Sequence, residues 1–427
     1  MRRMNENDIG YLRETPIDWP VVPGKTMFAE VKNKNTDGAE TTALKFTYGE
    51  IVRKENFDAS SEEYVAETIK TYNRVKPNDV IINGLNLNYD FVSQRVAIVR
   101  ENGVITSAYL VLRPKSHVNP RYLNYLLKSC DNMKVFHGMG EGIRQTIKFE
   151  DLGNMTLVCP AREEQDVIAA YLDTKCAAID EAIERHKMII ERLEEYKRAS
   201  IIAMVSGRPE HDVRKSGIPW MPAVPSGWDI IPLRFALTPR KNKNEGMAED
   251  NLLTLSYGKI KRKSIDTNEG LLPASFEGYN IVEAGDIVLR LIDLQNDKHS
   301  LRTGLVTERG IITSAYVTVT PSNRFVPAFM RYLLHAYDLM KVFYSMGEGV
   351  RQGLSYDDLG RNLLIPCPPK EVQEGIASEI EKLENKVDAA IEKQDVIIAK
   401  LEEYRKTIIY NAVTGKIDCR TEASSQA

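Results

Sequence analysis

Cysteine is scarce and scattered: five residues in 427, at Cys130, Cys159, Cys176, Cys367 and Cys419. None forms a C-x-x-C pair and the number is odd, so neither a zinc knuckle nor a disulfide framework is expected, and a reducing cytoplasm fits best. No apolar run is long enough to span a bilayer. The opening MRRMNENDIG has no apolar core and does not read as a secretory signal. Positive charge is not in excess either. With 57 Lys+Arg against 60 Asp+Glu the net charge is −3, which argues against indiscriminate coating of nucleic acid but leaves local basic surfaces open.

Catalytic signatures are missing as well. There is no G-x-x-x-x-G-K-[ST] phosphate loop, no G-x-G-x-x-G after a strand and no G-x-S-x-G elbow. His117, His137, His186, His211, His299 and His335 show no metal-ligand spacing. Asn119-Pro-Arg-Tyr122 looks like an amino-methyltransferase loop, but a helix start with Pro120 near its first position explains it better. A non-catalytic chain is expected.

What is present is a duplication. Trp19-Pro-Val-Val-Pro23 returns as Trp228-Asp-Ile-Ile-Pro232, and Tyr48-Gly49 as Tyr257-Gly258. Ile105-Thr-Ser-Ala-Tyr109 returns as Ile312-Thr-Ser-Ala-Tyr316. Met139-Gly-Glu-Gly-Ile-Arg-Gln145 returns as Met346-Gly-Glu-Gly-Val-Arg-Gln352. Leu193-Glu-Glu-Tyr196 returns as Leu401-Glu-Glu-Tyr404, and Val205-Ser-Gly207 as Val413-Thr-Gly415. An offset this long marks a whole-domain duplication rather than a solenoid, and two such modules can be related by a pseudo-two-fold axis.

Each half divides again. Residues 17–160 and 226–369 mix short apolar runs with turns. Val80–Ile82, Val96–Val99 and Val104–Ile105, with their counterparts Ile287–Leu289, Gly304–Val306 and Ile311–Ile312, read as strands, and 120–130 and 327–337 as helices. The repeated Thr-Ser-Ala-Tyr is expected to be core strand. Residues 163–205 and 371–413 have proline before them and glycine after them, as long helices do. A heptad register fits both. In the first, a is Ala169, Cys176, Ile183 and Ile190, and d is Leu172, Ile179, His186 and Leu193. In the second, a includes Ala377, Ile391 and Ile398, and d is Ile380, Val387, Gln394 and Leu401. This is a coiled-coil seam about 65 Å long, expected to be antiparallel. His186 and Gln394 share one d position, where a polar residue either fixes register or is simply half-exposed.

The expected fold is therefore α+β: two similar mixed α/β domains joined by two long antiparallel helices. The expected boundaries are domain 1 at 1–160, a spacer helix at 161–207, a linker at 208–225, domain 2 at 226–369, a distal helix at 370–415 and a tail at 416–427.

Two kinds of segment offer groups that read base edges. One is the repeated Gly-Glu-Gly motif, with Arg144, Gln145, Arg351 and Gln352, for which a structural turn is the competing explanation. The other comprises segments that differ between halves and are expected on loops. These hold Arg53 and Lys54, then Asn83, Asn86, Asn88 and Arg95 in the first half. In the second they hold Lys259, Lys261, Arg262 and Lys263, then Arg290, Gln295, Asn296, Lys298 and Arg302. Solvated loops are the alternative.

The layout resembles the specificity subunits of type I restriction–modification systems. The sharpest pieces are Ser216-Gly-Ile-Pro-Trp220 before Pro225-Ser-Gly-Trp228, Asp293-Leu-Gln-Asn-Asp297, Gly310-Ile-Ile-Thr-Ser-Ala-Tyr316, and Leu401-Glu-Glu-Tyr-Arg-Lys406 running into Ala412-Val-Thr-Gly415. The first half carries weaker versions, with Val205-Ser-Gly207 and Leu85-Asn-Leu-Asn88. The resemblance implies two target recognition domains, each reading half of a split, asymmetric site in double-stranded DNA. It implies helices that set the spacing and dock two adenine methyltransferase subunits, with restriction (translocase/endonuclease) subunits as further partners. S-adenosylmethionine would come with the methyltransferase subunits, and this chain would bind no cofactor and no membrane. The rival class is a coiled-coil scaffold presenting two protein- or ligand-binding domains.

Overall fold

A computed structural model describes residues 3–6, 10–54, 67–92, 94–139, 145–207, 212–265, 273, 275–294, 301–346 and 353–420. In chain order the first half has β1 (Met4–Glu6), β2 (Glu14–Pro16), β3 (Val21–Pro23), β4 (Phe28–Glu30), β5 (Leu44–Thr47), β6 (Glu50–Arg53), β7 (Asn73–Val75), β8 (Val80–Ile82), β9 (Val96–Ile98), β10 (Gly103–Ile105) and β11 (Leu110–Pro114). Then come α1 (Pro120–Asn132), α2 (Phe149–Asn154), β12 (Thr156–Val158) and the long α3 (Arg162–Val205). The second half repeats the order. It has β13 (Val213–Ile218), β14 (Met221–Pro225), β15 (Asp229–Pro232), β16 (Leu237–Pro239), β17 (Leu253–Ser256), β18 (Lys259–Arg262), β19 (Asn280–Val282), β20 (Ile287–Leu289), β21 (Thr303–Leu305), β22 (Gly310–Ile312) and β23 (Val317–Pro321). It ends with α4 (Pro327–Leu339), α5 (Tyr356–Asn362), β24 (Leu364–Cys367) and the long α6 (Lys370–Val413).

The chain forms two compact units. One comprises residues 1–186 and 395–427, the other 187–394. The boundaries fall inside the long helices, at His186 and Gln394, both half-buried.

In the first unit an antiparallel sheet runs in the order β4-β11-β8-β9. Strand alternation sends Val80 and Ile82 into the main core with α1, while Ile81 joins Leu44, Val75, Ile105 and Val111 on the other face. A strand buried on both faces has to be apolar throughout, as Val-Ile-Ile is. The second unit repeats this as β16-β23-β20-β21, with Ile287 and Leu289 on one side and Val288 on the other.

Each unit is closed by two helix segments running antiparallel. In the first, Ala169, Leu172, Cys176, Ile179 and Ile183 of α3 share a core with Ile408, Ile409, Ala412 and Val413 of α6. The direction follows from the ion pairs: Glu164 meets Arg420, and Asp180 meets Arg405 at 2.6 Å. In the second, Ile201 and Val205 share a core with Ala377 and Ile380, and Lys197 pairs with Asp388 at 2.7 Å. A buried glutamine bolts each long helix down. Gln165 donates to Pro160 O at 2.8 Å and accepts from Asn119 N at 2.7 Å; Gln373 donates to Pro368 O at 2.9 Å and accepts from Val326 N at 2.8 Å. Asn119 caps α1, accepting from Arg121 N and Tyr122 N, so the Asn-Pro pair is a helix start.

Two expectations need correction. Residues 213–225 are more than linker. β13 and β14 form a hairpin that buries Ile218, Met221 and Val224, and β1 and β2 pair likewise in the first unit. Gly207, at φ +89°, is pressed against Pro225 and Trp228, and Gly415, at φ +74°, against Pro16 and Trp19. A side chain at either glycine would overlap those rings. The Thr-Ser-Ala-Tyr repeats are turns, not core strands. Tyr109 N bonds Thr106 O and Tyr316 N bonds Thr313 O, both at 3.2 Å, with Ser107 and Ala108 exposed.

His335, buried on α4, follows from this packing. Burial, with Arg331 and Lys197 nearby, pushes its pKa down to about 3. Between that value and the ordinary 6.5 the unfolded chain holds the extra proton, so stability falls as pH drops from 6.5. Wild type should lose about 1.4 kcal/mol more per pH unit than His335→Leu between pH 6.5 and 5. Urea unfolding at each pH checks this, and parallel curves would disprove it.

Candidate nucleic-acid interface

The segments expected as cationic loops after each Tyr-Gly pair are strands of two-residue hairpins. β5 pairs with β6 and β17 with β18, and the turn residues Tyr48, Gly49, Tyr257 and Gly258 all have positive φ, of 48°, 75°, 47° and 74°. That is the turn whose twist suits a hairpin, and it favours Asn-Gly. A bulky side chain in its first central position costs about 1 kcal/mol. Tyr48 is nevertheless 91% exposed and Tyr257 80% exposed, so burial does not repay that strain.

The hairpin cations divide. Arg53 is held by Glu101, with Nε 2.9 Å and Nη2 2.5 Å from the same carboxylate oxygen, and Arg262 is held by Glu308. The guanidinium keeps each carboxyl below its ordinary range. Both arginines would have to leave a partner to read DNA. Lys54, Lys259 and Lys261 are exposed and Lys263 half-buried. Lys259 lies 4.0 Å from Asp388.

Arg95 and Arg302 are buried, not on the loop surface where they were expected. Arg95 is 1% exposed and Arg302 fully buried. Arg95 donates to Asn83 O at 3.1 Å, Leu85 O at 2.7 Å and Asp90 O at 2.7 Å. Arg302 donates to Arg290 O at 3.0 Å, Ile292 O at 2.8 Å and Asp293 O at 3.3 Å. Their backbone N–H groups bind Asp131 at 2.7 Å and Asp338 at 2.8 Å. In each unit one planar guanidinium gathers several backbone carbonyls. Asn86 and Asp293, at φ 54° and 53°, occupy the same tight bend in the two loops.

Among the other candidates, Asn83 accepts from Leu85 N at 3.3 Å and so serves the loop's own backbone. Asn86 is exposed, and Asn88 and Arg290 are half-buried. Gln145, at φ 35°, accepts from Leu87 N at 3.2 Å through its carbonyl, tying the end of the Gly-Glu-Gly segment to the same loop. Arg144, Gln295, Asn296, Lys298, Arg351 and Gln352 lie outside the described residues. In the first unit the loop also presents Tyr89 and Val92, 75% and 92% exposed, while Phe91 stacks on His137 at 4.7 Å. Attention to Asn, Gln, Arg and Lys missed these apolar groups, although a thymine methyl is read by apolar contact. Behind the hairpin a cleft of about 480 Å³ is lined by Gln94, Arg100, Lys128 and Lys406 and crossed by the Arg121–Asp173 and Arg405–Asp180 pairs.

Among the described residues no group of His, Cys, Asp and Glu is placed to hold a metal ion, and no helix is long and apolar enough to cross a membrane. No family model matches the chain. It is 21% identical, over 96% of its length and 91% of the relative's, to the type I restriction enzyme StySPI specificity subunit of Salmonella potsdam. It is also 21% identical to the EcoBI specificity subunit of Escherichia coli, over 72% of this chain and 66% of that one. A solved chain from a study of type I R-M complex assembly superposes at TM-score 0.69, with 14% identity, covering 94% of this chain and 99% of that chain. The HsdS subunit of Thermoanaerobacter tengcongensis superposes at 0.50, with 16% identity, covering 94% and 98%. The chain is thus similar, over nearly its whole length, to type I specificity subunits.

Arg95 holds three backbone carbonyls of the candidate reading loop with one guanidinium. Arg95→Ala should destabilise the first unit by about 2–4 kcal/mol, because several buried carbonyls lose their donors. Lys261→Ala should stay within about 0.5 kcal/mol of wild type. Urea unfolding measures both, and an Arg95 variant as stable as wild type would refute the cage.

Proposed function

We propose that this chain is the DNA sequence-specificity subunit of a type I restriction–modification complex, each unit reading one half of a bipartite, asymmetric site. One observation carries the reading. The chain resembles the StySPI specificity subunit over 96% of its length, and its two units repeat one architecture while their candidate reading loops differ. A shared scaffold with divergent loops suits two readers of unlike half-sites.

Its partners are double-stranded DNA and methyltransferase subunits, which bring S-adenosylmethionine and place the methyl group on adenine; this chain performs no catalysis. Two methyltransferase subunits are favoured because each unit presents the same exposed apolar patch on its helices. In one unit it is Met188, Ile189 and Tyr196, in the other Val396, Ile397 and Tyr404. Exposed aromatic and aliphatic clusters of this kind anchor protein partners. Restriction subunits complete the complex. The unbroken 44-residue helices α3 and α6 set the number of unread base pairs between half-sites.

Co-expression with the cognate methyltransferase, followed by genome-wide mapping of methylated adenines, should yield one bipartite motif with a fixed gap. Methylation of single undivided sites, or none, would refute the function.

Inserting four residues, about 6 Å of helix, into both α3 and α6 should lengthen that gap by one to two base pairs. Exchanging residues 83–95 with a close relative's should alter one half-site only. An unchanged gap in the first experiment would sink the spacer role, and a change in both half-sites or neither would sink the assignment of the loop.

A further inference from the structure

The two hairpin tips stand out because nothing among the described residues explains them. Tyr48 and Tyr257 occupy the same first central turn position, at φ 48° and 47°, where asparagine would sit without strain. The two residues are 91% and 80% exposed, so the core gains nothing from them. The strands around them have meanwhile diverged: Glu50 corresponds to Lys259, and Val52 to Lys261. A residue that selects a base should differ between readers of unlike half-sites, whereas one that touches any base pair should not.

The tips also adjoin the candidate reading loops. Gly49 is pressed against the Gln94 side chain, next to the cage residue Arg95; Gly258 is pressed against Leu301, next to Arg302. In each unit the turn and the loop therefore belong to one surface. The second hairpin adds Lys259, Lys261 and Lys263 to it, which favours a polyanion over a protein partner.

We propose that Tyr48 and Tyr257 are sequence-indifferent DNA contacts, whose rings pack against sugar and base faces of the duplex while the loops beside them choose the bases. This rests on the DNA-reading function proposed above. Aromatic contact with bases tolerates any sequence because every base has a π-face, and apolar wedges act similarly at duplex steps.

The test uses the full chain assembled with its methyltransferase, carrying Tyr48→Asn, Tyr257→Asn or both. Asparagine suits the turn, so Tm should hold or rise. Affinity for a duplex bearing the wild-type motif should fall about tenfold for each substitution and about a hundredfold for the pair. The methylated motif should not change, and Tyr48→Phe, which keeps the ring, should bind nearly as wild type does. Undiminished affinity in the double variant would overturn the proposal. So would a changed motif, a lowered Tm, or loss of the methyltransferase from the complex. A wild-type complex that binds no DNA would instead refute the function on which the proposal rests.

Discussion

Each compact unit is closed by two helix segments distant in sequence, and this constraint orders everything else. Residues 162–186 of α3 cannot bury their apolar stripe alone; they find Ile408, Ile409, Ala412 and Val413 of α6 across an antiparallel seam. The second unit solves the same problem with 187–205 against 370–394. Amphipathic helices gain most of their stability from such packing rather than from propensity. The buried glutamines, the glycine-terminated helix ends and the tryptophans against them all hold this closure in place. They recur in both units because both units need them.

A second economy lies in the cage arginines. A loop that presents side chains outward has to leave carbonyls pointing inward, and buried carbonyls need donors. One guanidinium supplies several at fixed angles. Arg95 and Arg302 therefore spend their hydrogen bonds on shape. The loop surface is left to exposed groups, Asn86, Tyr89 and Val92 among those described in the first unit. This division separates the groups that keep the loop in position from those it exposes.

Much of this was legible in the sequence. The duplication, the proline–glycine bracketing of the long helices, the apolar triplets of β8 and β20 and the Asn-Pro helix start are local patterns with local causes. The heptads put Ala169, Leu172, Cys176, Ile179 and Ile183 on one buried stripe because 3.6 residues per turn requires it. Other features were misread where residue type and role part company. Arg95 and Arg302 look like base readers because arginine usually stays at the surface. The Thr-Ser-Ala-Tyr repeats look like strands because they follow one. The 213–225 hairpin looks like linker because prolines mask its two short strands.

Sequence alone therefore determined that the chain is two copies of one module, each followed by a long helix, because repetition and periodicity are properties of residue order. Tertiary structure decided which polar groups remain available. An arginine's charge is the same in a cage, in an ion pair or in water, and only the carbonyls and carboxylates folded around Arg95, Arg302, Arg53 and Arg262 distinguish these states. It also revealed the exposed tyrosines, since strain at a turn and the absence of burial are measured only once the chain is folded.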